Sequence, residues 1–187
     1  MFQSSAFGAL LAVSGPRSCY ALGMLTLIIM RHAKSSWKTG HIDHDRPLNG
    51  RGRRQGFAAG RWLLEHYPVI DAVLCSTSKR TRQTLERMVD AGIDPRSVSL
   101  HEEIYEAAPA DMLPLLRRIP DEDRTALLIG HYPGVDLLID TLVGDDALAE
   151  RFVTSGIAVL EINGLWKDLG TADADAWLAT FVAPGRD

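Results

Sequence analysis

Cysteine is scarce in this chain: Cys19 and Cys75 are the two present, and they form no C-x-x-C pair. That scarcity excludes a disulfide framework and the paired-thiol zinc patterns. Cys75 closes an apolar run and reads as a small buried hydrophobe, which points to a reducing, cytoplasmic setting. Charge excess is also small, a formal net of -4. Nothing in that balance fits a general nucleic-acid binder or a membrane-surface protein. Long hydrophobic runs are missing, so no transmembrane span is expected. The apolar run Phe7 to Val13 is far too short to cross a bilayer.

What is present is ordinary globular material: 46% hydrophobic and 24% charged residues over 187 positions, enough for one core without staples. Residues 1–23 carry a single charge, Arg17, and lack the basic start of a secretory signal. They read as a non-globular extension, with Met24 standing directly before the first strand as an alternative start. A degenerate signal peptide is the competing reading. Residues 24–187 are then one domain.

Strand-like and helix-like segments alternate along that domain. Residues 25–30 are apolar without alternation, as in a strand buried on both faces. A polar loop covers 31–47. A helix is expected over 48–66, with Asn49 as its N-cap and Phe57, Leu64 and Tyr67 near one face. Strand 72–75 leads into helix 78–91, which Gly92 ends, with Leu85, Met88 and Val89 on one stripe. A short strand at 98–100, a helix at 110–119 stopped by Pro120, a buried strand at 126–130 and a helix at 135–143 follow. Segments 157–162 and 177–182 read as a closing hairpin or edge pair. This alternation predicts an α/β fold: a three-layer α/β/α sandwich with a mostly parallel central sheet.

Such sheets bind ligands beyond the carboxyl ends of their strands, so the residues after each apolar run matter. The first run is followed by Arg31 and His32, the second by "STSKRTRQT" with Arg80 and Arg82, the third by His131. Together they describe one anion site built of imidazole and guanidinium. Phosphate is the anion that arginine grips bidentately. The start of the helix after Ser78 is expected to add free N–H groups and the positive end of its dipole. A histidine attacks phosphorus when one ring nitrogen is unprotonated, and neighbouring arginines disfavour the imidazolium of His32. They also neutralise phosphoryl oxygens, and His131 can donate a hydrogen bond to the same oxygens. The chemistry predicted is a covalent phosphohistidine followed by transfer to water.

"RHAKSSW", "DHDRPLNGRG", "STSKRTRQT" and "GHYPG", in this order, resemble the histidine phosphatase superfamily, the phosphoglycerate-mutase-like group, and within it the small SixA-like phosphohistidine phosphatases. The match spans residues 25 to about 162. The resemblance implies a phosphoglycerate-mutase-like fold, His32 as nucleophile, and Arg31, Arg80 and His131 completing the phosphate pocket. Arg80 and Arg82 lie about 200° apart around a helix, so both are not expected to face one phosphate. Periodicity does not choose between them; the resemblance chooses Arg80. It also implies no cofactor and no metal, and a phosphorylated protein or a small phosphorylated molecule as partner. Two positions depart from the family pattern. Ala33 stands where glycine is widespread, as in many SixA-like members. Tyr132 stands where asparagine is frequent, at the expected entrance.

An alkoxide leaving group needs a proton donor, whereas imidazole, with a conjugate-acid pKa of roughly 6.5, needs little help. The acid of the wider superfamily falls in "LHEEIYEAAPADM", where Glu102, Glu103, Glu106 and Asp111 are candidates. The residues single out none. The expectation is that no dedicated acid is used, with Glu103 the choice if one is. Ser35 and Arg46 are further substrate-binding candidates. "HIDHD" has metal-ligand residue types but fits no zinc spacing; an Asp43–Arg46 ion pair shaping the pocket wall is the preferred reading. Arg46, Arg51, Arg53 and Arg54 read as a solvated helix face that can also attract an acidic substrate. The tryptophans read as packing, with Trp37 close enough to the nucleophile to line its mouth. Two functional alternatives stand beside the phosphohistidine phosphatase: a small-molecule phosphomonoesterase, and a non-catalytic phosphate- or phosphoprotein-binding module. The chain lacks the long insertions that shape a sugar-phosphate pocket, which counts against a mutase.

Overall fold

The structure is a computed structural model. It describes residues 24–38, 40–144, 148 and 152–185. The extension expected over residues 1–23 lies outside the described residues, as does Cys19.

Six strands form one sheet. They are β1 (Leu25–Arg31), β2 (Ala72–Ser76), β3 (Ser97–His101), β4 (Thr125–Gly130), β5 (Ile157–Asn163) and β6 (Asp175–Val182), in the spatial order β3-β2-β4-β1-β5-β6. The pairings from β3 through β2 and β4 to β1 are parallel. The last two are antiparallel, as expected of a hairpin at the edge. The helices are α1 (Gly50–His66), α2 (Lys79–Asp90), α3 (Pro109–Leu116) and α4 (Gly134–Val143).

Strand β1 shows why the sheet is covered twice. Leu25, Leu27 and Ile29 point into a core with Leu116 of α3 and Leu138 and Ile139 of α4, closed by Phe152 and Trp166. Ile28 and Met30 point the other way, against Ala59 and Leu63 of α1 and Leu85 and Met88 of α2. A strand that alternates between two cores carries apolar residues on both faces, which explains its lack of alternation. Each such side chain contributes about 1.5–3 kcal/mol of transfer free energy. No helix among the described residues is long and apolar enough to cross a membrane.

The helix faces differ from the sequence expectation in an instructive way. In α1, Phe57 is exposed and the buried stripe is Gly52, Gln55, Gly56, Ala59, Gly60 and Leu63. The reason is close approach. A Cβ on Gly60 would lie 2.6 Å from the Cα of Met88 in α2, so the two backbones meet where only glycine fits. A hydrophobicity count misses a stripe made of small residues. In α2, Leu85 and Met88 are buried as expected, but Val89 is exposed. Helix α3 stops at Leu116 rather than at 119. Asn49 does cap α1, its side chain accepting from the Gly52 N–H at 2.9 Å.

Parallel pairing sends the carboxyl ends of β1, β2 and β4 to one edge, and that edge carries His32, the Ser76–Ser78 turn and His131. Gly60→Ala tests the α1–α2 contact that braces this edge. Overpacking there should lower unfolding free energy by about 1–3 kcal/mol in urea denaturation; wild-type stability would show that the helices are not held at this distance.

Candidate active site

The site is assembled by backbone hydrogen bonds before any side chain acts. The His32 N–H donates to the Gly130 carbonyl at 3.0 Å, carrying the β1–β4 ladder one residue past the strand. The Ser155 N–H donates to the carbonyls of Arg31 and His32, both at 3.2 Å, clamping the same turn from the other side. Ser155 holds a positive φ of 65° to do so. The Ala33 N–H donates to the Thr84 hydroxyl at 3.0 Å, and that hydroxyl donates to the Arg80 carbonyl at 2.7 Å. The residue after the nucleophile candidate is thereby fixed to α2.

That fixing orients the His32 ring. Its Nδ1 lies 2.7 Å from the Ala33 carbonyl oxygen. A carbonyl only accepts, so Nδ1 carries the proton and Nε2 the lone pair. His32 is buried, and its pKa is held well below the ordinary value. Burial is the largest cause, followed by the neighbouring His131 ring and the charges of Arg80 and Arg31; the Ala33 carbonyl opposes them. The arginines expected to keep this ring neutral do act in that direction, but desolvation does more.

His131 follows β4, its ring centroid 5.2 Å from that of His32. Burial, then Arg80, pushes its pKa down to about 3. Its Nε2 lies 2.9 Å from the Ser76 hydroxyl, while its buried Nδ1 has no hydrogen-bond partner among the described residues. An unsatisfied buried ring nitrogen at a cleft is a position for a ligand atom.

The Arg80–Arg82 ambiguity is resolved by burial: Arg80 lies inside the site and Arg82 is exposed. Arg80 is held by Asp43, donating to its backbone carbonyl at 2.6 Å and to Oδ2 at 2.9 Å. Asp43 is more than the expected wall ion pair. Its Oδ1 accepts from Arg46 at 2.6 Å and its Oδ2 also accepts from the Tyr105 hydroxyl at 2.8 Å. Burial alone would raise its pKa, but Tyr105, Arg46 and Arg80 together hold the carboxylate at about 2. Asp43 therefore splints two guanidinium groups as a permanent anion. Arg46 also donates to Ser35 Oγ at 2.7 Å and to the Ser36 carbonyl at 2.9 Å, and sits 3.2 Å from the Trp37 ring centroid. It is a buried scaffold residue, unlike the exposed Arg51, Arg53 and Arg54 with which the sequence grouped it.

These groups line one cleft of about 410 Å³: Arg31, His32, Ser35, Arg46, Arg80 and His131, all singled out in the sequence, are brought together there. Lys34, Trp37, Asp43, Glu106 and Tyr132 join them. Arg31 donates to the Phe152 carbonyl at 2.8 Å, with its guanidinium 5.1 Å from the Tyr132 ring centroid.

Two expectations are corrected. Glu103 lies in an exposed 3-10 turn (Glu102–Ile104) and does not line the cleft; that turn buries Ile104 instead, and the chain brings Glu106 to the site two residues later. The amino end of α2 does not line the cleft either. Ser78 caps it, accepting from Thr81 N, and α2 contributes the Arg80 side chain instead. In "HIDHD", Asp43 serves the arginines, while His44 pairs through Nε2 with the Thr77 hydroxyl at 3.0 Å. Thr84, Ser155 and Tyr105 carried no sequence signal. Their roles rest on contacts 50 or more residues away.

The description of the histidine phosphatase superfamily (branch 1) matches residues 27–117. An uncharacterized protein of Mycobacterium tuberculosis strain H37Rv is 43% identical over 148 residues, which cover 75% of this chain and 91% of the relative. Among solved structures, the putative phosphohistidine phosphatase SixA from Nakamurella multipartitia is 34% identical with a TM-score of 0.76, covering 87% of this chain and 97% of that one. The protein histidine phosphatase SixA complexed with tungstate is 25% identical with a TM-score of 0.72, covering 86% and 97%.

Thr84→Val tests the brace behind the His32 turn. The change is close in volume but leaves the buried Ala33 N–H without an acceptor, so unfolding free energy should fall by about 1–3 kcal/mol. Thr84→Ser should recover most of that loss. A Val variant as stable as the wild type would show that this bond holds nothing.

Proposed function

The chain belongs to the histidine phosphatase superfamily, in its SixA-like branch, and from that premise we propose that it hydrolyses phosphohistidine on a protein, without a metal ion, through a covalent intermediate on His32. That it is a phosphatase follows from the family; the substrate and the route are our reading. One observation carries it: the Nδ1–H of His32 is committed to the Ala33 carbonyl, so Nε2 presents a lone pair to a cleft lined by Arg31 and Arg80.

In the first step, Nε2 of His32 attacks phosphorus. The bond from phosphorus to the substrate nitrogen breaks, and its electron pair leaves with the imidazole. Arg31 and Arg80 neutralise the phosphoryl oxygens, supplying the charge a divalent cation supplies in other phosphoryl transfers. With the Ser76 hydroxyl donating to His131 Nε2, the proton of neutral His131 sits on Nδ1, available to a phosphoryl oxygen. In the second step, water attacks phosphorus, the phosphorus–Nε2 bond breaks, and inorganic phosphate leaves with His32 restored. The tungstate held by the SixA structure is a tetrahedral oxyanion like phosphate and supports assigning the cleft to a phosphoryl group. Trp37, exposed at the rim, supports a protein-sized substrate. The free, buried thiol of Cys75 supports a reducing, cytoplasmic setting.

Trapping with labelled p-nitrophenyl phosphate during turnover tests this reading. The wild type should yield a phosphoenzyme that is acid-labile and stable to alkali, as a phosphorus–nitrogen bond is. His32→Ala should yield none, and should lose activity by about a thousandfold or more. Full activity in His32→Ala would overturn the covalent route. The rival reading, a small phosphomonoester substrate, has one observation in its favour: Glu106 lines the cleft and is a possible proton donor to an alkoxide.

A further inference from the structure

Of the four carboxyl groups between β3 and the middle of α3, one lines the cleft. Glu102 and Glu103 lie on the 3-10 turn outside the cleft, Asp111 accepts from the Ala108 N–H at 2.9 Å to cap α3, and Glu106, though exposed to solvent, lines the cleft wall. Glu106 lies between two fixed points. Ile104 is buried under Gly130 of β4. Ala107 is pressed against the start of α4, where a Cβ on Gly134 would collide with the Ala107 carbonyl oxygen. Between them Glu106 holds φ at 54°, in the left-handed region. For a non-glycine residue this is a strained conformation that persists where the surroundings enforce it, as functional positions often do.

The cleft is built for an anion: Arg31, Lys34, Arg46 and Arg80 carry its positive charge, and His32 and His131 are neutral. Among the described residues it contains two carboxylates, Asp43 and Glu106. Asp43 is neutralised by Arg46 and Arg80. Glu106 forms no ion pair with a described residue; its charge is felt at the Tyr105 hydroxyl beside Asp43. An uncompensated carboxylate in a phosphate site repels its own ligand, unless the ligand brings a positive charge to that place.

We propose that Glu106 is a specificity residue that recognises a positively charged leaving group, the protonated imidazole ring of a phosphohistidine. The inference rests on the function proposed above and adds how the site selects nitrogen-bound over oxygen-bound phosphate. One nitrogen of the substrate ring carries the phosphoryl group; the other carries a proton and donates it in a hydrogen bond to the Glu106 carboxylate. The carboxylate favours that protonated ring. When His32 Nε2 attacks, the phosphorus–nitrogen bond breaks with its electron pair going to the ring. The ring leaves as neutral imidazole, keeping the proton it already has. No proton crosses in the step, so no general acid is required. An ester of an alcohol gains nothing from Glu106, because it has neither the charge nor the N–H.

The test uses the full chain, with kcat/KM measured on a phosphohistidine peptide, p-nitrophenyl phosphate and glycerol 3-phosphate. Two variants separate charge from backbone strain: Glu106→Gln keeps the size, and Glu106→Gly accepts the positive φ. In both, the ratio of peptide to p-nitrophenyl phosphate activity should fall by about tenfold or more. The alkaline limb of the peptide profile, where the substrate ring loses its proton, should also move to lower pH. Equal losses on all three substrates, an unchanged ratio, or a loss confined to glycerol 3-phosphate would overturn the inference, the last by making Glu106 a proton donor to alkoxides. A wild type that cleaves the esters but not the peptide would instead overturn the proposed function.

Discussion

One hydrogen bond organises this site: the 2.7 Å contact between His32 Nδ1 and the carbonyl oxygen of the next residue. It decides which ring nitrogen keeps its lone pair, and it acts over a single residue only because the backbone there has no freedom. Ser155 grips the carbonyls of Arg31 and His32, Gly130 grips the His32 N–H, and Thr84 grips the Ala33 N–H. The last bond runs on through the Thr84 hydroxyl to the Arg80 carbonyl, so the proposed nucleophile and the arginine proposed to hold phosphate share one brace. Ala33 is itself fully buried, which keeps water from competing for its carbonyl.

Charge is distributed so that each group has a fixed state. The two histidines are neutral first because they are buried; after burial come the His131 ring and then the arginines for His32, and Arg80 for His131. The arginines stay in place because Asp43, itself held ionised, ties Arg80 to Arg46 and Tyr105. In the proposed reaction a phosphoryl group therefore meets a lone pair, guanidinium charge and an imidazole nitrogen that is unsatisfied among the described residues, without any of them having to change protonation. Such preorganisation is where electrostatic catalysis resides. Glu106 is the exception, a carboxylate with no ion pair among the described residues, held in place by the packing of Ile104 and Ala107 on either side.

The sequence made the scaffold legible because burial writes itself into composition. A strand that feeds two cores carries large apolar residues on both faces, so β1 is visible from Leu25 onward, and its abrupt end exposes Arg31 and His32. The Asp43–Arg46 pair was legible from local spacing. Other features were hidden for physical reasons. The α1–α2 contact uses glycine, which scores as neither apolar nor polar, so apolar periodicity points to faces that include Phe57 and Val89, both exposed. Burial along α2 separated Arg80 from Arg82, which spacing alone does not rank. The helix start after Ser78 serves itself through a cap, which no residue count distinguishes from an open anion site. Thr84, Ser155 and Tyr105 act across long sequence separations, and Glu106 displaced Glu103 because a 3-10 turn rather than a longer element follows β3.

The central claim is that His32 is a neutral imidazole with its proton on Nδ1. Nitrogen NMR of the protein with labelled histidine reads this directly, through the distinct shifts of protonated and unprotonated ring nitrogens. The account predicts that His32 shows a protonated Nδ1 and a bare Nε2, unchanged from about pH 8 to about pH 5.5, where an unperturbed histidine would take up a second proton. A His32 that titrates near pH 6.5, or one that carries its single proton on Nε2, would contradict it.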